Sequence, residues 1–128
     1  MRLLLDTHTV IWAAESPALL SQPALAAIRD PLNDRIVSAA TLWEIAIKFG
    51  LRKLDLSLPY RQWITRALSD LRASLLPITV EYADAQSALP QLHRDPFDRM
   101  LAAQARVENI AIVSSDAVFD QYGVTRLW

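Results

Sequence analysis

Along the chain, short apolar runs alternate with amphipathic stretches. Residues 2 to 6 (Arg-Leu-Leu-Leu-Asp) are an unbroken apolar run closed by an acid, the pattern of a strand buried on both faces that hands over to a turn. Thr9 to Glu15 reads as a helix broken by Ser16 and Pro17, and Ser21 with Pro23 opens a second helix to Arg29. Arg35 to Val37 is a second strand. Ser38 or Thr41 can cap the helix that follows, with Leu42, Ile45, Ala46 and Phe49 on its apolar face and Gly50 as its stop. Leu54, Leu56 and Leu58 alternate with polar residues in a connecting arm, and Pro59 begins a helix carrying Trp63, Ile64, Ala67, Leu68 and Leu71. Leu75 to Ile78 is a third strand, Thr79 caps a helix to Ala88, and Asp95-Pro96 starts a helix over Phe97 to Val107. Ile110 to Val113, a short helix near Ala117 to Gln121, Gly123 and a strand over Thr125 to Leu127 close the sequence.

This order predicts a three-layer α/β/α fold with a mostly parallel five-stranded sheet, and the length of 128 residues fits one domain over 1–128. In such sheets ligands sit outside the carboxyl ends of the strands, so the residues just after each strand are the ones to inspect for chemistry.

Composition narrows the chemistry mainly by exclusion. With only two glycines, neither a P-loop nor a dinucleotide fingerprint can be written. No cysteine is present, so thiolate nucleophiles, disulfides and Cys-type zinc sites drop out, and two distant histidines do not suggest a His-rich metal site. A net charge of −1, from 13 basic and 14 acidic residues, means that any nucleic-acid contact must be local. No signal peptide or membrane span is legible, and the cytoplasm is the expected compartment.

Four acids remain after the strands: Asp6, Glu44, Asp98 and Asp116. Each has an ordinary structural explanation. Asp6 and Asp116 suit turns or helix caps, Asp95 caps a helix whose first turn favours Asp98, and Glu44 precedes Lys48 by four residues, the spacing of an exposed ion pair. If all four converge, carboxylates about 5 Å apart repel by roughly 3 kcal/mol per pair at an effective dielectric near 20. Such a cluster calls for protons or hard cations, and Mg²⁺ is matched by carboxylate and water oxygens.

The segments Leu4-Leu5-Asp6-Thr7-His8, Ser38-Ala39-Ala40-Thr41-Leu42-Trp43-Glu44-Ile45-Ala46-Ile47-Lys48, His93-Arg94-Asp95-Pro96-Phe97-Asp98-Arg99 and Ile112-Val113-Ser114-Ser115-Asp116-Ala117-Val118-Phe119 together resemble the PIN-domain family, in its VapC-type toxin branch. The resemblance spans nearly the whole chain. It implies a metal-dependent endoribonuclease of a toxin–antitoxin module, with Mg²⁺ or Mn²⁺ held by Asp6, Glu44, Asp98 and Asp116 and activating water against an RNA phosphodiester. The number of ions stays open. Asp95 reads mainly as the cap orienting Asp98, Ser114 as the residue preceding the last acid by two, and His8 as a packed residue or a hydrogen-bond donor to a ligand; these three are secondary site residues. His93 reads as a loop residue, with contact to substrate as the lesser alternative.

RNA around an acidic centre needs nearby cations, and Lys48, Arg52, Lys53, Arg94 and Arg99 are the candidates, within a locally positive stretch from 48 to 72 that also holds Arg61, Arg66 and Arg72. The resemblance further implies an antitoxin partner lying across the site, with an apolar groove of the early helices and the Leu54 to Trp63 arm as its seat, and a homodimer is expected. Trp12, Trp43, Trp63 and Trp128 read as core or interface residues, Trp43 packing to hold the helix that carries Glu44. A receiver domain would need a late lysine at a strand end, and a haloacid-dehalogenase-type phosphatase an acid where His8 stands, so both are set aside. A non-catalytic PIN-fold interaction module is the remaining alternative.

Overall fold

The structure, a computed structural model, describes residues 1–128. Five strands, β1 (Arg2–Leu5), β2 (Asp34–Ser38), β3 (Ser74–Leu76), β4 (Ala111–Val113) and β5 (Arg126–Leu127), form one sheet in the order β3-β2-β1-β4-β5. Every pairing is parallel, with Leu4 of β1 opposite Ile36 of β2 and Ile112 of β4. The connections are α1 (Thr7–Glu15), a 3₁₀ turn (Pro17–Leu19), α2 (Gln22–Arg29), α3 (Ala39–Gly50), α4 (Tyr60–Leu71), α5 (Val80–Ser87), α6 (Pro96–Glu108) and a second 3₁₀ turn (Ala117–Tyr122).

The central strand β1 explains the layering. Leu3, Leu4 and Leu5 are fully buried, and a strand points successive side chains to opposite faces. Leu3 and Leu5 join a core with Val10, Ala24, Ile28, Ile45, Trp63 and Ile64, under α1 to α4. Leu4 joins the opposite core with Ile36, Leu101, Ile112 and Phe119, under α5, α6 and the second 3₁₀ turn. An apolar run without alternation is thus what a strand covered on both faces requires.

Two local boundaries change, and one helix stop is refined. β1 ends at Leu5 and α1 starts at Thr7, because Asp6 caps it by accepting the Thr9 N–H at 2.7 Å. Gly50 is the last residue of α3 and has no positive φ; the left-handed position belongs to Arg52 at φ 57°, where the Lys53 N–H reaches back to the Lys48 carbonyl at 2.8 Å. β3 covers only Ser74–Leu76. Gly123, at φ 71°, does terminate its turn in the left-handed conformation that glycine adopts freely.

Candidate metal centre

Asp6, Glu44 and Asp116 come in the segments directly after β1, β2 and β4, Asp98 stands in the first turn of α6, and local capping chemistry positions Asp6, Asp98 and Asp116. At the end of β1, Asp6 is buried. Its Oδ1 caps α1, and its Oδ2 accepts a hydrogen bond from the Ser114 hydroxyl. Ser114 Oγ in turn accepts the Asp116 N–H at 3.0 Å, so one hydroxyl links the acid after β1 to the acid after β4. Asp116 is exposed and caps the second 3₁₀ turn through the Val118 N–H. Carboxylate oxygens have two lone pairs each, so these caps leave Asp6 and Asp116 able to ligate.

Asp95 caps α6 by accepting the Phe97 and Asp98 N–H groups on Oδ1, at 2.8 and 3.2 Å. That leaves its Oδ2 free and places Asp98 in the first helical turn, where the dipole favours an anion. Asp98 Oδ2 lies 3.0 Å from His93 Nε2. Burial pushes the Asp98 carboxyl up to about 6, the charges of Asp95 and Glu44 add to that, and His93 opposes it.

Glu44 corrects the reading of an exposed ion pair. Its side chain is only 5% exposed, with Lys48 Nζ at 2.6 Å from Oε2. Its Oε1 is buried without any hydrogen-bond partner, which is costly for a carboxylate and leaves one oxygen able to take a cation. The helix that carries Glu44 is fixed from below: Ser38 caps it through the Ala40 N–H, and Thr41 shares a buried hydrogen bond with Thr7 at 3.1 Å.

The tightest group able to hold a metal is His93, Asp95 and Asp98, whose ligand atoms lie within 4.8 Å of one another. Asp6, Glu44 and Asp116 lie outside that group, although the Glu44 charge bears on Asp98. His93 does lie in a loop, as its sequence suggests, but the structure brings its ring against Asp98, a contact that the sequence reading did not assign. His8 instead is exposed and packs its ring against Trp12, centroids 5.7 Å apart, without a hydrogen bond to the acids.

The expected cations divide. Arg52, Lys53 and Arg94 are exposed and Lys48 is bound to Glu44. Arg99 is buried instead, its guanidinium donating to the Pro90, Gln86 and Leu89 carbonyls; it pins the loop before α6 and is not free for RNA. The stretch from 48 to 72 is not one patch either. Arg66 pairs with Asp70, and Arg72 lies before β3, at the opposite end of the sheet from the acids.

Trp63 belongs to the core, its indole N–H donating to Glu15 Oε1 at 2.6 Å, and Leu54, Leu56 and Leu58 pack onto the same core. The apolar groove of the early helices is walled instead by Ala14, Leu20, Leu25, Ile28 and Leu71, with Arg35 and Arg72 at its rim. Trp43 does not brace its helix from within: it is 62% exposed, edge-on to Phe97 with centroids 5.5 Å apart.

No helix is long and apolar enough to cross a membrane. No curated protein matches the sequence. Among solved structures, VapBC2 from Rickettsia felis, bound to a DNA fragment from its promoter, superposes with a TM-score of 0.73 at 16% identity, covering 98% of this chain and 97% of that one. VapBC-1 from nontypeable Haemophilus influenzae gives 0.67 at 18% identity, covering 98% and 96%. FitAcB from Neisseria gonorrhoeae gives 0.64 at 21% identity, covering 97% and 95%. These likenesses extend over the full length of the fold described above, and residues 3–124 match the family model of the PIN domain, so the chain belongs to the PIN domain family.

Proposed function

We propose that this protein is a VapC-type toxin of a toxin–antitoxin module, acting as a metal-dependent endoribonuclease through Asp6, Glu44, Asp98 and Asp116. The observation that carries the reading is Glu44: a buried carboxylate with an unpartnered oxygen, next to a half-buried Asp98 that its charge disfavours. A protein keeps such a costly arrangement where a cation is to be bound. The donor set is carboxylate oxygen, which fits Mg²⁺ or Mn²⁺. When bound, the divalent ion would supply water activation and charge neutralisation at a phosphodiester.

The chain's own residues do the rest. Asp6 is held rigid by Thr9 and Ser114, so its carboxylate is oriented in advance. Asp95 aims the first turn of α6 and with it Asp98. Lys48 neutralises one oxygen of Glu44 and leaves the other for the cation. Arg52, Lys53 and Arg94, exposed, are the side chains that hold the RNA backbone.

The VapBC complexes that share the fold support an antitoxin partner, and the exposed Trp43 and Ile47 on one face of α3 suit a homodimer contact. Light scattering on the purified protein reads that state, and a single-chain mass at micromolar concentration counts against the dimer. The nuclease is tested by incubating antitoxin-free protein with total RNA in Mg²⁺ or Mn²⁺, beside EDTA and Asp98→Asn. Cuts lost in both controls are the expected result; absence of cuts with metal present would favour the non-catalytic interaction module.

A further inference from the structure

We propose that His93 is a nitrogen ligand of the acidic site, taking a divalent cation together with Asp95 and Asp98 and biasing the site toward Mn²⁺ over Mg²⁺. The inference rests on the reading of this site as a metal centre and adds a donor that the four acids do not include.

The geometry is that of a preformed chelate. His93 Nε2 and Asp98 Oδ2 are 3.0 Å apart, and the ligand atoms of His93, Asp95 and Asp98 all fall within 4.8 Å of one another. Adjacent ligands of an octahedral ion with bonds of 2.0–2.1 Å are about 3.0 Å apart and opposite ones about 4.2 Å, so the His93–Asp98 pair already has the spacing of adjacent ligands, and a small side-chain adjustment brings Asp95 onto the same ion. Each side chain also has the required atom to give. The α6 cap occupies Oδ1 of Asp95 and leaves Oδ2 free, and His93 offers the Nε2 lone pair once its hydrogen sits on Nδ1.

A second observation independently points to a cation here. Glu44 Oε1 is buried with no partner, and the Glu44 charge reaches Asp98. The charges of Glu44 and Asp95 thus both bear on Asp98, and against them stand the Lys48 ammonium, already bound to Glu44 Oε2, and the His93 ring when protonated. An ion beside Asp98 would relieve all three carboxylates.

Donor type then sets the preference. Imidazole suits transition metals, whereas Mg²⁺ favours oxygen ligands and gives up its water reluctantly. An all-carboxylate site separates the two ions less, and the nitrogen widens the preference for Mn²⁺.

The protein has only two histidines, so the test can be read at the metal itself. Mn²⁺ is titrated into the full chain and its spin resonance examined for the hyperfine modulation of a directly bound ¹⁴N. The expected result is nitrogen modulation in the native protein, lost in His93→Gln and kept in His8→Gln. His93→Gln should also weaken Mn²⁺ binding about tenfold while Mg²⁺, measured by competition, changes by less than about threefold. Bound Mn²⁺ without nitrogen modulation, or modulation surviving in His93→Gln, overturns the proposal. If His93→Gln folds poorly, the native and His8→Gln spectra together decide the matter, because His93 is the one histidine left in the second. Metal-dependent RNA cleavage by a protein whose Mn²⁺ shows no nitrogen would discard His93 as a ligand and keep the nuclease, while absence of any Mn²⁺ binding would discard both.

Discussion

The two ends of the sheet are built from the same strands and helices and are chemically opposite. At the carboxyl end, α1, α6 and the second 3₁₀ turn begin on Asp6, Asp95 and Asp116, with Asp98 just inside α6. At the amino end α2 and α4 finish, and the Arg35 guanidinium donates to the carbonyls of Leu71, Ile28 and Asp30 at 2.6, 3.1 and 3.0 Å. A parallel sheet with returning helices gathers helix N-termini at one end and C-termini at the other, so acids are favoured at the first and cations at the second. The difference lies in how completely each end is satisfied. Arg35 has an acceptor on each side of it, whereas the acids include an unpartnered Glu44 oxygen and an Asp98 carboxyl pushed up to about 6. One end holds the fold together, and the other stores electrostatic cost that a cation can relieve.

The contrast breaks most visibly in activity. Asp98→Asn should lower metal-dependent RNA cleavage by about a hundredfold or more, measured as initial rates in saturating Mn²⁺. The same variant should unfold at higher denaturant at pH 7, because it removes a buried charge that the native state disfavours. By contrast, Arg99→Met should lose stability, by about 3 kcal/mol in urea titration, since the carbonyls of Pro90, Gln86 and Leu89 lose their donor. Direct RNA binding by Arg99 would show as weakened RNA affinity in a variant of unchanged stability.

Next in size is the pH response of the metal-free protein. The folded pKa of Asp98, about 6, exceeds its ordinary value of 3.8, so between these values the native state binds more protons than the unfolded chain. Stability should therefore fall as pH rises from about 4 to 6, by about 2 kcal/mol through this group, measured as the difference between native protein and Asp98→Asn in unfolding curves across that range. Saturating Mn²⁺ should reverse the trend by binding the ionised form.

At the amino end, Arg35→Met should cost about 2 kcal/mol and leave cleavage per folded molecule unchanged, which chemical denaturation and a rate measurement together check. A loss of cleavage there would dissolve the division between the ends. The smallest effect is expected at Lys48→Met: about 1 kcal/mol lost without metal, since Lys48 is itself partly exposed, and a larger rise in melting temperature on adding Mn²⁺ than in the native protein.

Much of this was legible in one dimension. The all-parallel layered fold follows from an unalternating β1 between amphipathic segments, and Ser38, Thr79 and Asp95 sit as caps where the pattern placed them. Gly50 does end α3, although the left-handed residue that closes the turn is Arg52, two positions later. Arg99 and Glu44 misled for a common reason. Helical spacing places a charged residue on a face, but whether solvent or a neighbouring segment meets that face depends on other parts of the chain, here the end of α5 and the loop after it for Arg99 and the packing around α3 for Glu44.

The sequence by itself determined the order of elements, the strand ends where acids stand and the motifs of the PIN domain, because these depend on periodicity, capping and residue type, which are local properties. Only the tertiary structure decided which charges are buried, which oxygen lacks a partner and which histidine reaches an acid. Those depend on desolvation and on ångström-scale distances between segments far apart in the chain, as when Ser114 bonds Asp6 across 108 positions.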